Sequence, residues 1–379
     1  MKLAPPGTGS NPPDHTYSPP DGKPLPVPWW FHSTSAQTFR ALPLSSSDIV
    51  LSSGVKMGTT WVNKILVSLL YEYDDDGKLR DNVEEQRRVL PNRLGQTYPD
   101  AMYWNREEKE ADVEGVFARV KNGREACDGI FGDFTFEDLL NQPEPRIFST
   151  HLFGKRFLPQ QLFDEIPKCQ SDNLESKPYS KAKGRLIIVL RNLKDTMCSL
   201  HHFRGLPLDG WDGNDHGPGT YRRFIAEECP NSFGSAFDWV KETNDMLKYV
   251  AADRVHVVYY ESFMLDFDAQ LITLNDFLGL TKLTGAKREA IRKACAASTM
   301  ANDNARYTAI IEKAKIGEWE KYLDRERWQE FDRIFDERLE VVGLAEPMRF
   351  FQCRNFKEKL GYEETLEDLK QKWKSVNNR

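Results

Sequence analysis

Ser53-Gly54-Val55-Lys56-Met57-Gly58-Thr59-Thr60-Trp61 is the stretch on which the fold turns. Before it, Asp48-Ile49-Val50-Leu51 predicts a short buried strand. After it, Trp61, Val62, Ile65, Leu66, Leu69 and Leu70 recur at three- and four-residue steps, which predicts a helix with one apolar face. A strand, a Gly-Lys-Gly turn and a helix opening on two threonines is a way for a chain to hold phosphate. Backbone N–H groups at the turn and helix start point outward and can cradle phosphate oxygens. Gly58 lets the backbone approach the ligand, Thr59 and Thr60 add hydroxyl donors, and Lys56 supplies a point charge. An ATPase loop has the pattern GxxxxGK[ST], with its lysine after the last glycine. Here Lys56 precedes Gly58, so this stretch is not that loop. The plain alternative is a helix start capped by threonines with a solvated lysine beside it.

Outward from this unit, three more short apolar runs predict buried parallel strands: Arg146-Ile147-Phe148-Ser149, Leu186 to Leu190 and Val255 to Tyr260. Helices are expected from Asn192, through Leu271, Leu274 and Phe277 to Gly279, and along Trp328, Phe331, Ile334, Phe335 and Leu339. Asp74-Asp75-Asp76-Gly77 has turn chemistry. The alternation implies an α/β fold, a single P-loop-like domain over residues 29–350 with a central parallel sheet flanked by helices on both faces. Residues 1–28 hold nine of the 21 prolines and are expected to be a disordered arm. Residues 351–379 are expected to form a charged helical tail. Polar loops are expected between Lys168 and Lys183 and from Gly205 to Thr220, the latter with the composition of a lid.

Composition narrows the chemistry. A chain of 379 residues with net charge −6 gives no general affinity for nucleic acid or anionic membranes, so any anion site is local. Six scattered cysteines without a CxxC argue against a structural zinc site or a disulfide scaffold, and no metal is expected. No secretory signal and no apolar run of roughly 20 residues is visible, so the expected location is cytoplasmic.

Two further strand ends carry chemistry. Arg191 closes one predicted strand, and Ser199 follows roughly two helical turns later. Ligands of open α/β sheets bind outside the carboxyl ends of strands, so a guanidinium and a hydroxyl there suit a second phosphate. The local alternative pairs Arg191 with Asp195 at the helix start. His151, in Ser149-Thr150-His151-Leu152, also follows a strand and is placed for proton transfer.

Taken together these segments resemble the cytosolic, 3′-phosphoadenosine 5′-phosphosulfate (PAPS)-dependent sulfotransferase family. The family's Tyr-Pro-Lys-Ser-Gly-Thr-Thr-Trp is matched by Gly54 through Trp61, its Thr-His-Leu-Pro by Thr150 through Phe153, and its Arg-Asn-Pro-Lys-Asp segment by Arg191 through Ser199. Tyr260-Glu261-Ser262 and Gly317-Glu318-Trp319-Glu320 match two later segments in the same order. The resemblance spans residues 45–325. It implies that Lys56, Gly58, Thr59 and Thr60 hold the 5′-phosphosulfate end and that Trp61 and Tyr260 meet the adenine. It further implies that Arg191, Ser199 and Lys313 bind the 3′-phosphate, and that His151 is the catalytic base with Lys56 as its catalytic partner. The activity implied is sulfuryl transfer to a hydroxyl or amine of a small-molecule acceptor.

The chain departs from that pattern in several places. Met57 stands where the family has a small residue, Phe153 where it has proline, and Glu312-Lys313-Ala314 where it has Arg-Lys-Gly. Lys155 and Arg156 fall beside the altered His151 segment, and either stay solvated or select an acidic acceptor. Lys315 could compensate for Glu312, and Ser298 and Thr299 are weak matches to a family Ser-Phe pair. The short dimer motif containing Thr-Val is absent, which leaves oligomeric state open. Acceptor contacts are expected from residues 78–145 and 205–232, where Tyr98, Tyr103, Trp104, Phe117 and Trp211 offer aromatic surface. The competing classes are an adenosine-bisphosphate-binding relative without turnover and, less favoured by the displaced lysine, a P-loop small-molecule kinase.

Overall fold

The computed structural model describes residues 16–17, 25–26, 39–81, 140–142, 144–163, 182–204, 220–225, 235–303 and 315–352. Four strands form one sheet: β1 (Ile49–Ser53), β2 (Ile147–Thr150), β3 (Arg185–Leu190) and β4 (Val255–Tyr259). All pairings are parallel and the order is β2-β1-β3-β4. The strands read as near-continuous apolar runs because both faces are covered. Val50, Phe148, Leu186, Ile188 and Leu190 point into one core, while Ile49, Leu51, Ile147, Ile187, Val189 and Val258 point into the other.

Helices close each face. Val62, Ile65 and Leu66 of α1 (Thr59–Val67) pack on the second core. On the first core sit Leu193, Met197 and Leu200 of α2 (Leu193–Arg204) and Phe237 and Val240 of α3 (Ala236–Met246). Behind β4 the chain forms α4 (Tyr260–Leu265) and α5 (Phe267–Phe277), and Leu271 and Leu274 return it to the second core. Phe331, Phe335 and Leu339 of α6 (Arg325–Leu339) complete the first. The expected parallel α/β sheet with helices on both faces is the fold observed.

Two further features lie near the ends of the described chain. Inside the arm expected to be disordered, Thr16–Tyr17 and Leu25–Pro26 pair antiparallel. The last helix among the described residues, α7, runs Ala345–Gln352 and buries Phe351 in the first core. Asn192 fixes that helix further, since its side-chain amide donates to the Phe351 carbonyl at 2.7 Å.

The strand order places a crevice. From β1 the chain passes to β2 on one side, and from β3 to β4 on the other. The carboxyl ends of the adjacent β1 and β3 therefore border the switch point where ligands of open α/β sheets bind.

Candidate active site

At the end of β1 the chain makes a tight turn. The Met57 amide donates to the Gly54 carbonyl at 3.2 Å, and Lys56 adopts φ 66. Gly58, at φ 109, starts α1 without any side-chain cap. The threonines therefore do not cap the helix. Thr59 instead bonds the Ser53 hydroxyl through its own, which ties the helix start to β1. Gly58 is required twice over: by its left-handed backbone and by a ring against it. A Cβ at this position would lie 2.7 Å from Cδ2 of Tyr260.

Tyr260 joins the parts of the site. Trp61 packs against its ring with centroids 4.9 Å apart, and the Arg191 guanidinium lies over it at 4.5 Å. Trp61 is held from behind by Phe263 and by an Nε1–H bond of 2.8 Å to the Cys295 carbonyl. Part of its surface remains exposed.

Arg191 closes β3 and donates from Nη1 to the Lys56 carbonyl at 3.3 Å, which joins the two strand ends. Its Nε is buried with no hydrogen-bond partner. The expected alternative, a local pair with Asp195, is not how that carboxylate is used. Asp195 accepts the amides of Gly317 at 2.8 Å and Trp319 at 3.0 Å. Burial raises its pKa, with the Arg191 charge opposing. Ser199 lies half-buried on α2, eight residues after Arg191, and Thr60 is half-buried at the first turn of α1. Lys313, Glu312 and Ala314 lie outside the described residues; Lys315 is described and exposed.

His151 follows β2. Its Nδ1 lies 3.0 Å from the Ser53 carbonyl, an acceptor, so Nδ1 carries the hydrogen and Nε2 is the basic nitrogen. Burial holds the imidazole well below its ordinary value, at about 4. The Lys56 charge pushes the same way, and the Ser53 bond opposes. The ring is therefore neutral at physiological pH. Phe153, at the family's proline position, is buried against Trp239 and Phe157 at 6.0 and 6.5 Å. Lys155 is not simply solvated: its Nζ sits 3.9 Å over the Tyr249 ring, while Arg156 is exposed.

One titratable group escaped the sequence reading. Glu261 is buried beside Tyr260; Oε1 accepts the Asn192 amide at 2.8 Å and Oε2 has no hydrogen-bond partner. Burial pushes this carboxyl up to about 7 against the pull of Arg191. Its place between Tyr260 and Ser262 was the available signal, but nothing in the sequence showed that its partner would be the residue after Arg191.

An α/β sheet with a glycine-containing turn, a histidine and an arginine at adjoining strand ends is an arrangement suited to an anionic ligand. A family model described as a sulfotransferase domain matches residues 172–343, a segment that contains Arg191, Ser199, Tyr260 and Lys313 and begins after the Gly54–Trp61 loop. Sulfotransferase 6B1 of Mus musculus is 24% identical over 337 residues, covering 86% of this chain and 88% of that protein. Cytosolic sulfotransferase 1 of Danio rerio is 24% identical over 322 residues, covering 80% and 85%. Among solved structures, mouse sulfotransferase SULT7A1 complexed with PAP superimposes with a TM-score of 0.56 at 18% identity, covering 85% of this chain and 94% of that one. Retinol dehydratase in complex with androsterone and inactive cofactor PAP gives 0.51 at 18%, covering 88% and 92%. The sulfotransferase-domain model thus matches less than half of this chain, while the curated sulfotransferases are similar to it along most of its length at 24% identity. No helix among the described residues is long and apolar enough to cross a membrane.

Proposed function

We propose that the protein is a cytoplasmic, PAPS-dependent sulfotransferase acting on a hydroxyl or amine of a small molecule. The observation that carries this reading is the convergence at one crevice of the Lys56 turn, His151 and Arg191, whose buried Nε lacks a partner. An unpaired guanidinium nitrogen beside a stacked Tyr260 suits an anionic nucleotide, since a buried donor left unmade is costly. PAPS, when bound, supplies the sulfuryl group and a phosphate leaving group.

The chain's own residues account for the rest. The amides of Lys56, Gly58, Thr59 and Thr60 and the Thr60 hydroxyl hold the 5′ end, and Lys56 neutralises charge there. Trp61 and Tyr260, packed against each other, contact the adenine, and Arg191, Ser199 and Lys313 hold the 3′-phosphate. His151 Nε2 takes the acceptor's proton while Nδ1 stays bonded to Ser53, which fixes the ring. Phe153, two residues after His151, is buried against Phe157 and Trp239, and this apolar surround favours an apolar acceptor. Retinol dehydratase, of similar fold, has been crystallised with retinol and with androsterone, both small apolar molecules bearing a hydroxyl.

The test is calorimetric titration with adenosine 3′,5′-bisphosphate beside adenosine 5′-phosphate and ATP, without magnesium. Tight binding that requires the 3′-phosphate is expected. Transfer from labelled PAPS to an acceptor panel should then be lost in His151→Ala while nucleotide binding is kept. Equal affinity for the three nucleotides would sink the assignment of Arg191. Binding without transfer to any acceptor would favour a relative that holds the nucleotide without turnover.

A further inference from the structure

Met57 is only 1% exposed, although its loop neighbours Lys56 and Gly58 are both partly exposed. Its side chain joins the first core and folds back over its own turn. A Cβ built at Gly54 would lie 2.7 Å from the Met57 methyl carbon, 2.8 Å from its sulfur and 3.4 Å from Cγ. The methionine thus occupies the space that any side chain at residue 54 would need. Between the two, Lys56 is the single non-glycine residue with positive φ among the described residues. A lysine does not choose that conformation by itself, because its Cβ crowds the following carbonyl. Burial of Met57 on Gly54 on one side, and the Arg191 bond to the Lys56 carbonyl on the other, hold it there.

We propose that Met57 is a positioning residue for the anion loop, and that Gly54 and Met57 act as one lock that sets Lys56 and the amides of residues 56–60. The exchange is visible in the sequence pattern as well. Where the resembling family has a large residue followed three places later by a small one, this chain has none followed by a long flexible one. The position lost as a hydroxyl donor has become a packing anchor. This inference rests on the reading of the loop as the holder of the nucleotide's 5′ end.

The test is a cycle of Gly54→Ala, Met57→Ala, the double variant and Met57→Leu, each titrated with adenosine 3′,5′-bisphosphate and melted. The atoms facing a new Cβ are the far end of a flexible chain, so Gly54→Ala should displace Met57 rather than the backbone. Each single variant should weaken affinity about tenfold, the double no further than the worse single, and Met57→Leu should stay near wild type. Melting points corrected for ligand should move far less between Met57→Ala and the double than between wild type and either. Multiplying losses of about a hundredfold in the double, or singles with wild-type affinity, would overturn the lock. If the wild type itself fails to bind, the functional reading falls, and hydrogen exchange of the residue 56–60 amides decides the lock independently. Faster exchange of the same amides in both singles supports it, and unchanged exchange overturns it.

Discussion

Acidification is the perturbation that reads His151 most directly. Three influences act on its imidazole: burial removes the charged form from water, Lys56 repels it, and the Ser53 carbonyl favours it. The balance brings the group from 6.5 to about 4. At about 1.4 kcal/mol per unit, the difference is roughly 3 kcal/mol between the two protonation states. The sign follows from which state takes the proton first. As pH falls through 6.5 the unfolded chain protonates its histidine while the native one does not, so stability is lost between 6.5 and about 4 and is level outside that window. The measurement is a set of urea midpoints across that window for wild type and His151→Gln, with imidazole carbon resonances followed by NMR. The wild type should lose roughly 3 kcal/mol more than the variant on acidification. Binding adenosine 3′,5′-bisphosphate should raise the histidine's pKa, because a phosphate beside Lys56 cancels a repulsion. An imidazole that titrates at 6.5, or two stability curves that fall in parallel, would refute the placement of His151 in a desolvated site next to Lys56.

Three other outcomes follow from the same geometry. Arg191→Ala should weaken adenosine 3′,5′-bisphosphate by about 2–4 kcal/mol while leaving adenosine 5′-phosphate little changed, a comparison made by calorimetry. Gly58→Ala forces a Cβ to 2.7 Å from the Tyr260 ring at φ 109, so it should cost about 2–4 kcal/mol of stability, read from denaturant midpoints, and reduce nucleotide affinity too. Glu261, held at about 7 among Arg191, Asp195 and Tyr260, should take up protons when a phosphate engages Arg191 near neutral pH. Binding enthalpies in buffers of different ionisation heat should show this uptake, and Glu261→Gln should remove it.

The four strands were legible because their burial on both faces leaves short uninterrupted apolar runs, and the predicted limits fall within a few residues of the observed ones. A turn between β1 and α1 was legible, but its mechanics were not. Threonines after a glycine suggested side-chain capping, yet the helix starts on the left-handed Gly58 and Thr59 bonds back to Ser53. Backbone dihedrals such as φ 66 at Lys56 leave no mark in residue type unless the residue is glycine. Met57 read only as a missing hydroxyl, because whether a loop methionine is buried depends on what stands opposite it. Arg191 and Asp195, four apart, suggested a local pair. The carboxylate in fact crosses to Gly317 and Trp319, 122 and 124 residues away, and no local pattern encodes such a partner.

Strand order is what turns these separated segments into one site. With β1 and β3 adjacent and their successors leaving to opposite sides, the turn after β1 and Arg191 after β3 must border the same crevice. The bond from Arg191 to the Lys56 carbonyl spans 135 residues and exists only because of that adjacency. Tyr260 then enters from the end of β4, next to β3, and touches Gly58, Trp61 and Arg191 with one ring. The turn at one end of the crevice and Arg191 at the other therefore share a single aromatic plate. A change at Gly58 that tilts the plate must also disturb Arg191, so the two ends of the crevice are mechanically coupled by the fold itself.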